Sequence, residues 1–385
     1  MIRLADVQSR TSLHVAGLMT GTSMDGLDVA ICRIEPGDRL SFELLAFSTV
    51  PMPDDLRAVL DPGHLGDIGA LAHANQKLGL YFADALEQVL APLAIDLHLI
   101  GSHGQTVFHD HGVTTLQLGD PGPLAARFGC PVIHDFRMND IALGGSGAPL
   151  VPYVDHRLLG GRGEGLLAVN IGGIANFTAL PGDPSDLNGI LGMDCGPGNM
   201  LMDGLASRWS GGSRAADIDG RLAAAGRVDD QLLDRMKQHP FFSTSPPRST
   251  GREQFGAGFL DSMLAASGLR LDDDQAVRDL MATFAALTVW GIVDSYRRFV
   301  AKTLPVAQVV ISGGGSRNPV LMSDLGEGFA PIPIETSDRL GLPVDAKEAI
   351  AFAVLASDRI DGRPTNLPSV TGAAERSLLG KITEC

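Results

Sequence analysis

Cysteine is scarce in this chain of 385 residues: Cys32, Cys130, Cys195 and Cys385 are scattered, and no two form a C-x-x-C pair. That spacing excludes a disulfide framework and a cysteine zinc site, and it fits a reducing cytosol. Long apolar runs are missing too. The longest uncharged apolar segment worth testing, residues 280–293 between Asp279 and Asp294, is too short to span a bilayer. Asp6 and Arg10 interrupt the N-terminus before a signal sequence can form. Basic residues are in deficit as well, 30 against 45 acidic ones for a net charge of -15, which disfavours a polyanion such as nucleic acid. A small anion carried by Mg²⁺ stays compatible with that charge. No G-x-x-x-x-G-K-[ST] occurs, so a P-loop is excluded. The expectation is a cytoplasmic protein with neither a nucleic-acid nor a membrane partner.

What is present is enough chain for a large core, most naturally divided into two domains. Its most informative stretch is Gly21-Thr22-Ser23-Met24-Asp25-Gly26-Leu27-Asp28, a glycine-framed turn between apolar runs at 14–19 and 29–32. Glycines at both ends let the backbone turn and approach a ligand, while Thr22, Ser23 and successive amides can form an anion-binding nest. Asp25 and Asp28 repel bare phosphate, an objection that Mg²⁺ removes. The alternative is an ordinary hairpin turn.

A second strand, glycine turn, strand unit follows half a chain later at 166–180, with Gly172, Gly173 and Asn176 in and beside its turn. Two such hairpins, each opening a mixed strand and helix region, suggest duplicated domains. Helices are expected at 68–93, 200–209, 275–300 and 347 to about 360, with Asp272 to Asp274 capping the third and Asp345 and Glu348 spaced as a capping box for the fourth. Strands are expected at 42–49, 96–101 and 306–312. Residues up to Ser12 lack periodicity and read as a short tail.

Several residues could carry chemistry. Asp194, ending the apolar run 190–193 before Cys195-Gly196-Pro197-Gly198-Asn199, stands where a general base belongs, or it caps a turn. Asp203 reads as compensating a helix dipole. The histidine-rich segment 102–111 does not have helical zinc spacing and suits sugar-hydroxyl recognition or loop structure. Asp135-Phe136-Arg137, Asp140 and the glycine-rich loop 144–149 suit polyol binding or a hinge. Gly313-Gly314-Gly315-Ser316-Arg317-Asn318, with Glu335 downstream, is an incomplete dinucleotide signal or a turn against which a base or ribose packs. The loop 245–252 reads as structural.

Taken together, the segments 17–28, 102–106, 135–137, 170–176, 194–199, 249–253, 312–315 and 347–349 closely resemble anhydro-N-acetylmuramic acid kinase, in order, from about residue 13 to residue 360. The resemblance implies an α/β fold of two RNase H-like domains of the sugar kinase, actin and Hsp70 type, closing on ATP in the interdomain cleft. The domains would be 1–140, completed by 346–385, and 141–345. It implies that Gly21 to Asp28 form the first ATP segment, that Gly172, Gly173 and Asn176 form the second phosphate-facing turn, and that Gly313, Gly314 and Gly315 lie on the adenosine side. His103, Gln105 and Arg137 would bind the sugar. Asp194 matches the family's base, which activates water for attack at the anomeric carbon as O6 takes the γ-phosphoryl group. Glu348 matches an acidic residue near sugar and metal, so Asp25 and Glu348 are the expected Mg²⁺ residues. The implied partner is a small anhydro-amino-sugar, and a homodimer is compatible with the match. Cys195 and Thr20 stand where the family commonly has threonine and serine, without loss of a needed group. A levoglucosan-type kinase, an NAD-dependent oxidoreductase and an actin-like scaffold are the competing interpretations.

Overall fold

The computed structural model describes residues 2–21, 24–38, 40–60 and 66–384, so Thr22 and Ser23 lie outside the described residues. The chain divides into two compact units, Met1–Leu158 with Ala346–Cys385, and Leu159–Asp345.

The first unit is built on a six-stranded sheet. β1 (Leu13–Thr20), β2 (Gly26–Glu35) and β3 (Ser41–Pro51) form an antiparallel meander. β4 (Leu99–Ser102) then joins β1 in parallel. β5 (Gln105–Asp110) and β6 (Thr114–Leu118) make a separate hairpin. β7 (Val132–His134) lies parallel to β4, and the strand Lys381–Thr383 closes the far edge. Helix Ile68–Leu90 covers one face through Leu78, Phe82 and Leu86. Helix Lys347–Ile360 covers the other face at very short range. A Cβ on Gly17 would come within 1.9 Å of the Ala349 carbonyl oxygen, and one on Gly101 within 2.1 Å of that of Phe352. Glycine at these two strand positions lets the helix backbone rest on the sheet.

Residues 141–158 belong to this unit because helix Val151–Leu159 is tied to helix Lys347–Ile360. Tyr153 and Arg157 both donate to the Asp358 carboxylate at 2.8 Å, and Lys347 pairs with Asp155 at 2.7 Å. These partners are distant in sequence, which is why composition alone does not reveal the tie. The N-terminal tail also departs from expectation. Leu4–Gln8 is a helix that buries Val7, and its Leu4 amide donates to Glu384. Five residues are too few to show a helical period.

The second unit repeats the topology. β8 (Gly165–Ile171), β9 (Ile174–Leu180) and β10 (Leu191–Pro197) form an antiparallel meander. β11 (Val306–Ser312) pairs with β8 in parallel and β12 (Ile334–Thr336) with β11. In both sheets the order runs third, second, first, fourth, fifth. This is the duplicated α/β architecture that the two hairpins suggest. The helix expected at 275–300 is Asp274–Phe299, capped by the Asp273 carboxylate on the amides of Gln275 and Ala276. It is long and apolar enough to cross a membrane, but 72% of its most apolar window is buried, as befits a core helix.

Candidate active site

The end of β4 leads into Ser102, His103, Gly104 and Gln105. Thr20 donates to the Gly104 carbonyl at 3.1 Å and the His103 amide to that of Leu18 at 3.0 Å, so this segment is fixed to the end of β1. Arg137, at the start of helix Met138–Ala142, donates to His103 Nε2 from Nε at 3.1 Å and to the Gly147 carbonyl from Nη1 at 2.8 Å. A ring nitrogen that accepts from guanidinium is unprotonated, so His103 is neutral with its proton on Nδ1. Burial and the Arg137 charge both hold the His103 pKa well below its ordinary value. Burial also lowers Arg137 to about 10, against the nearby Glu348 charge. Gln105 Nε2 reaches the Gly21 and Thr106 carbonyls, while its Oε1 is buried without a partner. A buried acceptor left open is an invitation to a hydroxyl. The sugar-binding candidates His103, Gln105 and Arg137 therefore gather in one place.

Glu348 sits in the first turn of helix Lys347–Ile360, whose N-cap is Ala346 with no side-chain cap. The expected capping box is absent, because Asp345 instead pairs with Arg317. Glu348 presents itself to solvent. The surrounding protein nonetheless desolvates its carboxyl, which raises its pKa, and the charge of Asp28 raises it further. Two carboxylates that repel each other suit a cation, and Mg²⁺ needs only one or two when phosphate supplies the remaining oxygens. Among the described residues no group of three or more histidine, cysteine, aspartate or glutamate side chains that could hold a metal ion occurs. Asp28 is the carboxylate that the structure couples to Glu348, whereas Asp25 is exposed at the start of β2. Met24 holds a left-handed φ of 56° in that turn, and Leu27 is a core residue whose amide is bound to Tyr81.

In the second unit Asp194 lies within β10 at a bulge rather than at the strand end. The register sets Asp194 opposite Asn176, Asn176 opposite Asn170, and Asn170 opposite Ser312, a polar row across four strands. The Thr250 amide donates to Asp194 Oδ2 at 2.8 Å, and Arg248 Nε donates to the Asp194 carbonyl at 3.0 Å. Arg248 is itself pinned by Thr244, Ser295 and the faces of Phe241 and Phe299. Burial raises the Asp194 pKa to about 6, with the Thr250 hydrogen bond and the Arg248 charge opposing it. Arg248 and Thr250 are residues that sequence reasoning assigned to a structural loop. The matched segment 249–253 contains Thr250, whereas no signal in the sequence points to Arg248.

The glycine turns have packing reasons of their own. The carbonyls of Gly172 and Gly173 accept from the amides of Gly198, Asn199 and Met200. Gly313 has a φ of 80°, and a Cβ there would lie 2.6 Å from the Asn170 side chain, while one on Gly315 would strike Ile171 at 2.3 Å. Asn318 Oδ1 caps the following helix by accepting from the amides of Val320 and Leu321, and Glu335 is taken by Gln308. Asp140 is equally occupied: fully buried, it binds Gly147, Asn366 and Thr371, which makes it an anchor of the 144–149 loop rather than a polyol ligand.

Each of the two like-ordered α/β units carries an acid of raised pKa, Glu348 in the first turn of a helix in one and Asp194 within β10 in the other, the pattern of a candidate enzyme site. The model of the family "Anhydro-N-acetylmuramic acid kinase" matches residues 13–385, and the chain belongs to that family. It is similar to the anhydro-N-acetylmuramic acid kinase of Caldanaerobacter subterraneus subsp. tengcongensis, 38% identical over 401 residues and 100% of both chains. It is also similar to that of Salinibacter ruber, 38% identical over 100% of this chain and 99% of the relative. The likeness to the Bacillus thuringiensis relative is 37% over 96% and 99%.

Proposed function

We propose that the chain is an ATP-dependent kinase that opens 1,6-anhydro-N-acetylmuramic acid with water and phosphorylates O6, giving N-acetylmuramic acid 6-phosphate and ADP. Its place is cell-wall peptidoglycan recycling and amino-sugar catabolism, in the cytoplasm, in keeping with the scarce and scattered cysteines. The observation that carries the chemistry is Asp194, a carboxyl held by the Thr250 amide with a pKa of about 6. A base whose pKa lies just below neutral is ionised at working pH and still takes a proton readily.

In this account Asp194 accepts a proton from water as the water oxygen bonds to the anomeric carbon. The bond from that carbon to O6 breaks, and O6 attacks the γ-phosphorus of ATP with ADP leaving. Such a transfer depends on positioning and charge stabilisation more than on covalent help. His103, Gln105 and Arg137 orient the sugar. Glu348, with Asp28 and Asp25, would hold Mg²⁺ or its waters, and bound Mg²⁺ neutralises charge on the phosphoryl group. Residues 21–28, with Gly172, Gly173, Asn176 and Gly313 to Gly315, are assigned to the nucleotide. An oxidoreductase and a levoglucosan-type kinase are both disfavoured by the family match.

The test is turnover of ATP, Mg²⁺ and the anhydro sugar in ¹⁸O-labelled water. Product labelled at the anomeric oxygen is expected. Phosphorylated product without label would overturn the coupled mechanism.

A further inference from the structure

Next to the residues assigned to the sugar, the first unit contains a cavity of about 430 Å³ to which none of the preceding roles applies. It is bounded by the two segments that carry the sugar candidates, with Ser102 and Gly104 flanking His103, and Asp135 and Met138 flanking Arg137. Its remaining wall is mostly apolar, with Leu71 from helix Ile68–Leu90 and Leu118 from β6, and also carries Asn75, Thr115, Gln117 and His134. One polar group in it is conspicuous. Ser102 is 1% exposed, and its hydroxyl has no hydrogen-bond partner. An unpartnered buried hydroxyl costs roughly 1–3 kcal/mol unless a ligand completes it. On its wall the Asp135 carboxylate, paired with Lys381 at 2.7 Å, disfavours a second carboxylate, and burial lowers the pKa of the neighbouring His134 and so disfavours its charged form.

We infer that this cavity receives the N-acetyl group of the sugar, with the amide on Ser102 Oγ and the methyl against Leu71, Leu118 and Met138. A neutral group with one polar end and one methyl matches a mostly apolar wall with a single open hydroxyl. The lactyl group, which ends in a carboxylate, matches it poorly. The inference rests on the proposed substrate and adds the feature that would separate an N-acetylated anhydro sugar from a plain one. A site that hydrogen-bonds a substituent rejects the analogue lacking it more strongly than an apolar pocket does.

The sugar's acetyl and lactyl methyls are distinguishable by NMR, and protein labelled with ¹³C at the methionine methyls reports which one lies near Met138. The Met138 signal is assigned by its loss in Met138→Leu. With bound 1,6-anhydro-N-acetylmuramic acid, a nuclear Overhauser contact from Met138 to the acetyl methyl is expected, and Ser102→Ala should weaken sugar binding about tenfold by calorimetry. Contact to the lactyl methyl, contact to neither methyl while the sugar is bound, or wild-type affinity in Ser102→Ala would each overturn the inference. Failure of the unsubstituted protein to bind the sugar at all would overturn the functional proposal and this inference with it.

Discussion

The two units share one sheet order and differ in how they use it. In the first, glycines on the strands, Gly17 and Gly101, admit helix Lys347–Ile360; in the second, the glycine is on the helix, where a Cβ on Gly291 would come within 2.7 Å of the Cys195 carbonyl. Among the described residues, the ion pairs with both partners under 10% exposed, Arg157–Asp358 and Lys347–Asp155, are in the first unit. The acids differ in their neighbours. Around Glu348 the charge of Asp28 adds to the effect of burial while Lys347 and Arg137 oppose it; around Asp194 the Thr250 amide and the Arg248 guanidinium oppose burial while Glu253 adds to it. The proposed function thus assigns sugar recognition and a cation-holding acid to one copy of the sheet order and the base to the other.

The largest effect should come from the base. Asp194→Asn is expected to lower turnover by about 10²–10⁴-fold with nucleotide binding kept, measured by steady-state kinetics beside nucleotide titration; wild-type turnover would remove Asp194 from that role. Next is the buried tie of the first unit. Asp358→Ala strands Arg157 and Tyr153 and should cost about 3–5 kcal/mol in denaturant unfolding, while removal of the exposed Arg33–Glu43 pair in the same unit should cost under about 1 kcal/mol. Equal losses would show that burial does not set the difference. The two glycine contacts offer a smaller contrast. Gly17→Ala collides with a helix backbone and should destabilise by about 1–3 kcal/mol, whereas Gly291→Ala is partly offset by the roughly 1 kcal/mol that alanine gains in a helix.

Much of this was legible in the sequence, for physical reasons. Both hairpins and the core helix Asp274–Phe299 show in apolar periodicity and in capping or glycine signals, which are local, while helix Lys347–Ile360 forms without the capping box that its sequence offers. His103, Gln105 and Arg137 lie in segments that the family resemblance marks, 102–106 and 135–137, and the structure ties Arg137 to His103 and Gln105 to the turn at Gly21. What escaped depends on distant partners: the capture of Asp345 by Arg317, the Asp358 tie, and the pinning of Arg248 under Asp194. A side chain's partner across the fold leaves no periodic trace in the chain.

The environment of Asp194 also predicts how its titration moves. Replacing Arg248 with Met removes a charge that lowers its pKa, and the acid limb of the activity profile should shift to higher pH. Glu253→Gln removes a charge that raises it, so the limb should move slightly the other way.

The most direct measurement is therefore the pH dependence of kcat in the wild type and in Asp194→Asn. A base must be ionised to act, so kcat of the wild type should rise with pH through a midpoint of about 6 and then level off, and that limb should vanish in the variant. Persistence of the same limb in Asp194→Asn would contradict the assignment of Asp194 as the base.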